Sequence, residues 1–239
     1  MKKINLTQNG KIDSGEWKIM ELPLGDNKVF RHEEPHAQII GLNDGTLEIV
    51  VEQYTQKGLP GLQQTDTGKH FYMSSQSFKL PKTGIARFYS DMAAEPIGMD
   101  GQNYQDGFII TILFDENNAL IFDSATTGRR FYSIYEKLVI PGLIKPEDAF
   151  TYIIEAPYVA APKPMEWHTH MVEFDMDKKS VKWFVDGHKT NEIFRAEAMP
   201  ESIKFGIGLF SLKPYINRQS VSIQGQGMKG QWKNIRAEL

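Results

Sequence analysis

The chain contains no cysteine, which removes disulfides, thiolate metal sites and a thiol nucleophile at once. It has no apolar stretch of the roughly 18–20 residues that a membrane-spanning helix requires. Met1-Lys2-Lys3 is followed by Asn5, Thr7, Gln8 and Asn9 rather than by the apolar centre of a secretory leader. We therefore expect a cytoplasmic protein, although a chain whose leader has been removed reads the same way. Blocks of Lys and Arg are also missing. With a net charge of -3 and a pI of about 6.1, neither nucleic acid nor a membrane is expected as a partner. Helical periodicity is nearly absent, and the one short helix expected lies within 141–149, around Lys145-Pro146-Glu147-Asp148.

What is present is period-two alternation, the mark of a strand. Thr46–Tyr54, Phe71–Phe78, Ile85–Ala93, Phe108–Phe114, Ala119–Phe122, Phe131–Leu138, Phe150–Ala156, Ile203–Leu212, Ser220–Gln224 and Gln231–Glu238 all read as strands. Shorter ones are expected at Trp17–Leu22 and Ala37–Leu42, and residues 1–16 read as an edge strand or a loose arm. Turns fall at Asn43-Asp44-Gly45, Pro81-Lys82-Thr83-Gly84, Asp115-Glu116-Asn117-Asn118 and Thr126-Thr127-Gly128-Arg129. Residues 55–69, rich in Gln, Gly, Thr, Pro and Lys, read as a long surface loop suited to a lid. No repeat or linker divides the chain, so a single domain over 1–239 is expected, with apolar content of 41% sufficient for a sizeable core.

The most informative stretch is Glu166–Gly187. His168–Asp175 alternates, Asp177-Lys178-Lys179-Ser180 turns, and Val181–Val185 is β-branched and aromatic. Asp186-Gly187 then suits a type I′ turn, which needs positive φ at both central positions. This β-meander resembles that of the laminarinase, lichenase and agarase family of glycoside hydrolases. Trp167, His168, Glu173, Phe174, Lys182, Trp183, Phe184, Val185, Asp186 and Gly187 carry the likeness. The resemblance implies an all-β, concanavalin A-like jelly-roll β-sandwich of two antiparallel sheets, as the dozen short strands suggest independently.

That family carries Glu-x-Asp-x-Glu on an upstream strand, where alternation aligns the carboxylates on one face. Between Asp106 and Glu136 the acids are Asp106, Asp115, Glu116, Asp123 and Glu136, and none has that spacing. Glu173-Phe174-Asp175-Met176-Asp177 has it, but inside the meander, where it reads as a strand end entering a turn. Retaining glycoside hydrolysis is thus not expected.

His168-Thr169-His170 places two imidazoles on one strand face, as a metal site needs and as cupins use them. The cupin pattern is otherwise incomplete, so no metal or other cofactor is expected; His32 and His36, ahead of a strand, read as loop residues or as a spare ligand. Arg87, Tyr89, Asp91, Tyr132, Glu136 and His168 alternate onto single strand faces. On one concave sheet they would form a polar groove for a small-molecule or saccharide ligand. Glu136 and His168 are the candidate catalytic acid and base of a metal-independent lyase, isomerase or cyclase; Arg87, Tyr89, Asp91, Tyr132 and His170 are the candidate ligand contacts. The competing class is a non-catalytic carbohydrate-binding module, followed by a diverged glycoside hydrolase. Gly225-x-Gly227-x-x-Gly230 is no dinucleotide site, since no helix follows it.

Overall fold

Strands with an apolar face must bury it against a second layer, and two sheets do this here. The computed structural model describes residues 2–25, 28–59, 65–140, 144–156, 159–216, 219–220 and 225–239. Sheet I runs His188–Ile193, Ser180–Val185, His168–Asp175, Ile85–Ile97, Gly227–Glu238, Leu47–Val51, Gln38–Gly41, with Lys2–Lys3 beside Gly227–Glu238. Sheet II runs Phe150–Glu155, Phe131–Lys137, Leu120–Thr126, Phe108–Asp115, Ser202–Ile216, Thr67–Lys79, Trp17–Ile19, with Gln219–Ser220 beside Ser202–Ile216. Neighbouring strands are antiparallel throughout. The expected helical turn is a single 3-10 turn at Pro146–Asp148. Of the expected Ser220–Gln224 strand, residues 221–224 lie outside the described residues.

The meander forms as its sequence dictates. Asp186 and Gly187 have φ of 49° and 77°, the signs a type I′ turn demands. The Asp186 carboxylate accepts the Thr169 N–H (2.9 Å) and meets His168 Nδ1 at 2.7 Å, so His168 holds the turn to its own strand. Glu173, Asp175 and Asp177 are likewise structural. Glu173 pairs with Arg87 and Lys182, Asp175 accepts the Lys178 N–H, and Asp177 accepts the Gly84 N–H.

Between the sheets, Ile49, Phe88, Phe174 and Trp183 of sheet I meet Leu113, Phe122, Phe205 and Ile207 of sheet II. Each such side chain contributes about 1.5–3 kcal/mol when fully buried. Phe88, Phe122, Phe174 and Phe205 are joined by edge-to-face contacts at 5.0–5.7 Å. Two indoles cross the core to the opposite backbone: Trp183 Nε1 donates to Asp123 O (2.9 Å) and Trp232 Nε1 to Ile110 O (3.0 Å). These bonds satisfy the indole N–H groups and fix how the sheets are superposed.

The amino-terminal segment, expected as an edge strand or a loose arm, forms short strands, with Lys2–Lys3 paired to Gly227–Glu238 and Thr7–Gln8 to Lys11–Ile12. Ile4 and Leu6 are buried in the core, and Trp17 Nε1 donates to Asn5 O (2.8 Å). Alternate apolar positions there were sufficient to anchor a segment that is otherwise polar.

His170 faces inward beside Phe131, with ring centres 5.5 Å apart, and neither of its nitrogens has a protein partner. Burial, with the neighbouring His168, pulls this imidazole down to about 3. Between about pH 6.5 and pH 3 the unfolded chain binds a proton that the folded one refuses, so stability falls as pH falls through that window. A His170→Leu variant should therefore lose less of its melting temperature than the parent between pH 7 and pH 4, by thermal denaturation. Equal losses in both would show that His170 is not buried neutral.

Candidate binding pocket

Sheet II is apolar on both faces. In Phe108–Asp115, Ile109 and Leu113 point toward sheet I while Phe108, Ile110 and Ile112 point away, and Leu120–Thr126 is buried at every position. Strands covered on two sides read as nearly continuous apolar runs, and ILF and LIF do so here. The outward layer forms a second apolar cluster around Phe71, Ile110, Ile112, Ile121, Ile134 and Phe210. Met20, Tyr104, Ile140 and Ile144, from connecting segments, pack against it. The cover is incomplete and leaves a cavity of about 320 Å³.

Into this apolar wall the fold sets Asp66, Lys69, Asp123, Glu136 and His32. Asp123 lies between Ile121 and Ala125 on the outward side of its strand. Strand pairing with Phe108–Asp115 runs to Thr111↔Ser124 and resumes at Phe114↔Ile121, and Asp123 sits at the interruption, its carbonyl taken by Trp183. Its Oδ1 is buried without a protein partner. Burial and then Glu136 push this carboxyl well above the usual carboxylate range, against a hydrogen bond from the Leu113 N–H. This favours the protonated carboxyl, the form that can donate a hydrogen bond into the cavity.

His32 is also buried, between Phe30 (5.2 Å) and Phe71 (5.8 Å), with both ring nitrogens lacking protein partners. Burial, reinforced by Lys69, pulls it down to about 3. It is not the solvated loop residue expected, because its backbone is bonded to Met20 O and Phe71 N and carries the ring inward. His36 is exposed. Lys69 Nζ bonds to Thr67 Oγ1; burial pulls its ammonium down to about 8, against Asp66 and Glu136 pulling it up.

The presumed lid is firmer at its ends than its composition suggests. The Glu34 carboxylate accepts the N–H groups of Thr55 (2.6 Å) and Gln56 (3.0 Å), and Gln56 Oε1 accepts the Lys69 N–H (3.0 Å). Leu59 and Thr65 pair across the base (3.0 Å). Residues 60–64 lie outside the described residues, and 67–69 already belong to a strand.

The groove expected from Arg87, Tyr89, Asp91, Tyr132, Glu136 and His168 does not assemble. Arg87, Tyr89 and Asp91 project from the outer face of sheet I, because Ala86, Phe88 and Met92 take its inner face. There they serve one another's neighbours. Arg87 pairs with Glu173 (2.9 Å), Tyr89 donates to Glu238 (3.0 Å) beneath Arg236, and Asp91 accepts from Thr169 (2.8 Å) and Asn234 (2.6 Å). His168 and His170 lie between the sheets beside Phe131. Only Tyr132 and Glu136 share the outward face of sheet II, and of these Glu136 lines the cavity while Tyr132 packs beside it against Tyr104 (5.4 Å). Alternation told which residues share a face of one strand, but not which sheet that strand joins.

Asp123, Lys69 and Asp66 were missed. The signal for Asp123 was available: a lone acid within the apolar run LIFDSA. Its outward neighbours on the same strand are Ile121 and Ala125, so the carboxyl stands alone on that face of the strand. Among the described residues no group of three or more metal-binding side chains converges.

The upward shift of the Asp123 carboxyl has a measurable consequence. A carboxyl raised on folding stabilises the fold at low pH, and that contribution is lost as pH rises through its folded value. Asp123→Asn should gain stability relative to the parent as pH is raised from 5 to 9 in thermal denaturation. A difference independent of pH would mean that the carboxyl titrates alike in both states.

Solved structures share this architecture at low sequence identity. LamAcat from Zobellia galactanivorans matches at TM-score 0.59 and 11% identity, covering 100% of this chain and 97% of its own. The endo-1,3-β-glucanase from Streptomyces sioyaensis matches at TM-score 0.60 and 8% identity, with 99% and 94% covered. The laminarinase catalytic domain from Thermotoga maritima matches at TM-score 0.58 and 12% identity, with 98% and 96% covered. The concanavalin A-like jelly roll implied by the meander is thus the fold of the whole chain. No curated protein matches the sequence. The model of a family of unknown function, DUF6081, matches residues 15–238, and this protein belongs to that family.

Proposed function

We propose that this protein binds a small, largely apolar and uncharged organic molecule bearing one oxygen function, in the cavity on the outer face of sheet II. The observation that carries this reading is the wall itself: a space of about 320 Å³, bounded mainly by Met, Phe, Ile and Leu, with the unpartnered Asp123 Oδ1 and His32 nitrogens in its lining. Pockets of this kind bury most of a small ligand and orient it with a few polar groups. A saccharide fits poorly, since each hydroxyl left unpaired against such a wall costs about 1–3 kcal/mol. A carboxylate ligand would face Asp66 and Glu136. A hydroxyl or carbonyl oxygen instead complements a neutral Asp123, which donates, and a neutral imidazole, which donates from one nitrogen and accepts at the other.

Acid–base turnover by Glu136 with His168 is not carried forward, because the two side chains lie on opposite faces of sheet II. A saccharide is the second reading. The shared fold of the glucanases favours it, as does Tyr152, exposed on the edge strand of sheet II beside Phe150 (5.3 Å), where a sugar ring could stack.

Octan-1-ol, octanoate and laminari-oligosaccharides separate the readings by thermal shift. Octan-1-ol at a hundredfold excess over its Kd should raise the melting temperature by about 5–10 °C, with octanoate much weaker. Asp123→Leu should weaken octan-1-ol binding about tenfold by removing one hydrogen bond. Stabilisation by oligosaccharides alone, lost in Tyr152→Ala, would overturn the proposal in favour of the saccharide.

A further inference from the structure

Resting on that reading of the cavity, we propose that Lys69 is a carbonyl-reactive amine that joins an apolar aldehyde covalently as an imine. Lys69 is the third residue of the Thr67–Lys79 strand and alternates with Thr67, Phe71 and Met73 on the outward face, so its side chain enters the same cavity as Ile112, Phe210 and Glu136. The residue is 9% exposed, enclosed by apolar wall. Its backbone is fixed as well: the Lys69 N–H is held by Gln56, which belongs to the network centred on Glu34. The amine is therefore presented from a rigid strand and not from a mobile surface.

An ammonium in such surroundings is disfavoured against the neutral amine. With a value of about 8, roughly two- to threehundredfold more of it is neutral at pH 7 than of an ordinary lysine. The neutral nitrogen is the nucleophile. It adds to the carbonyl carbon to give a carbinolamine. The carbon–oxygen bond then breaks, and the oxygen leaves with the two amine hydrogens as water. A carbon–nitrogen double bond remains, with no oxidant or reductant consumed. Asp66 and Glu136, which already act on the ammonium through space, would stabilise the iminium formed when the imine takes up a proton. The apolar wall limits the water that would reverse the reaction and selects an alkyl or terpenoid chain over a sugar aldehyde.

The test uses the unmodified protein with octanal and sodium cyanoborohydride at pH 7, followed by peptide mapping in a mass spectrometer. Lys69 should acquire one octyl group about tenfold or more faster than any other lysine, and unreactive octan-1-ol should suppress labelling at Lys69 alone. The rate at Lys69 should rise with pH and level off above about 8. If octan-1-ol raises the melting temperature but Lys69 is labelled no faster than surface lysines, the imine is refuted while the binding reading survives. If octan-1-ol neither binds nor protects, and labelling is indiscriminate, both fall together.

Discussion

A sheet that is apolar on one face needs one partner layer, but a sheet apolar on both needs two, and sheet II is of the second kind. Its inner face is satisfied by sheet I, through interlocked phenylalanines and the indole bonds of Trp183 and Trp232. Among the described residues, no third large sheet is present to meet its outer face. Connecting segments supply the cover, and because segments fill space less completely than a pleated sheet, a cavity remains. The pocket follows from how the second face is covered.

The electrostatics of the pocket follow from the same enclosure. Carboxyl, amine and imidazole groups held in an apolar cavity lose the water that favours their charged forms. Burial raises the Asp123 carboxyl, pulls the Lys69 ammonium down and keeps His32 from charging. The outer face of sheet I shows the contrast. There Arg87, Glu173 and Lys182 pair near solvent, as do Tyr89, Glu238 and Arg236, and such groups balance one another instead of awaiting a ligand. Polar residues gathered on an open sheet face are thus weaker indicators of a site than a few polar atoms left unpartnered in a closed one.

Much of the fold was legible in the sequence, for local reasons. Strand periodicity and the Asp186-Gly187 turn are properties of a few adjacent residues, and His168–Asp175 is bounded where its alternation ends. The site was legible only in part. Glu136 lines the cavity, but it was expected as a catalytic group beside Arg87 and His168, which alternation alone cannot assign to a sheet. Asp123 was passed over because it lacked acidic neighbours at the expected spacing, although isolation in an apolar strand is what makes a carboxyl unusual. Ile4 and Leu6 were hidden among polar residues, and their burial depends on long-range packing against the strand ending at Glu238.

The central claim is that the outer face of sheet II, not that of sheet I, receives a ligand. The most direct measurement is an isotope-filtered NMR experiment on methyl-labelled protein with octan-1-ol. Contacts from the alkyl chain should appear at the methyl groups of Ile112, Ile121 and Ile134, which line the cavity. An octan-1-ol chain that instead contacts Met171, on the outer face of sheet I beside Tyr89, or that gives no protein contacts at all, would contradict it.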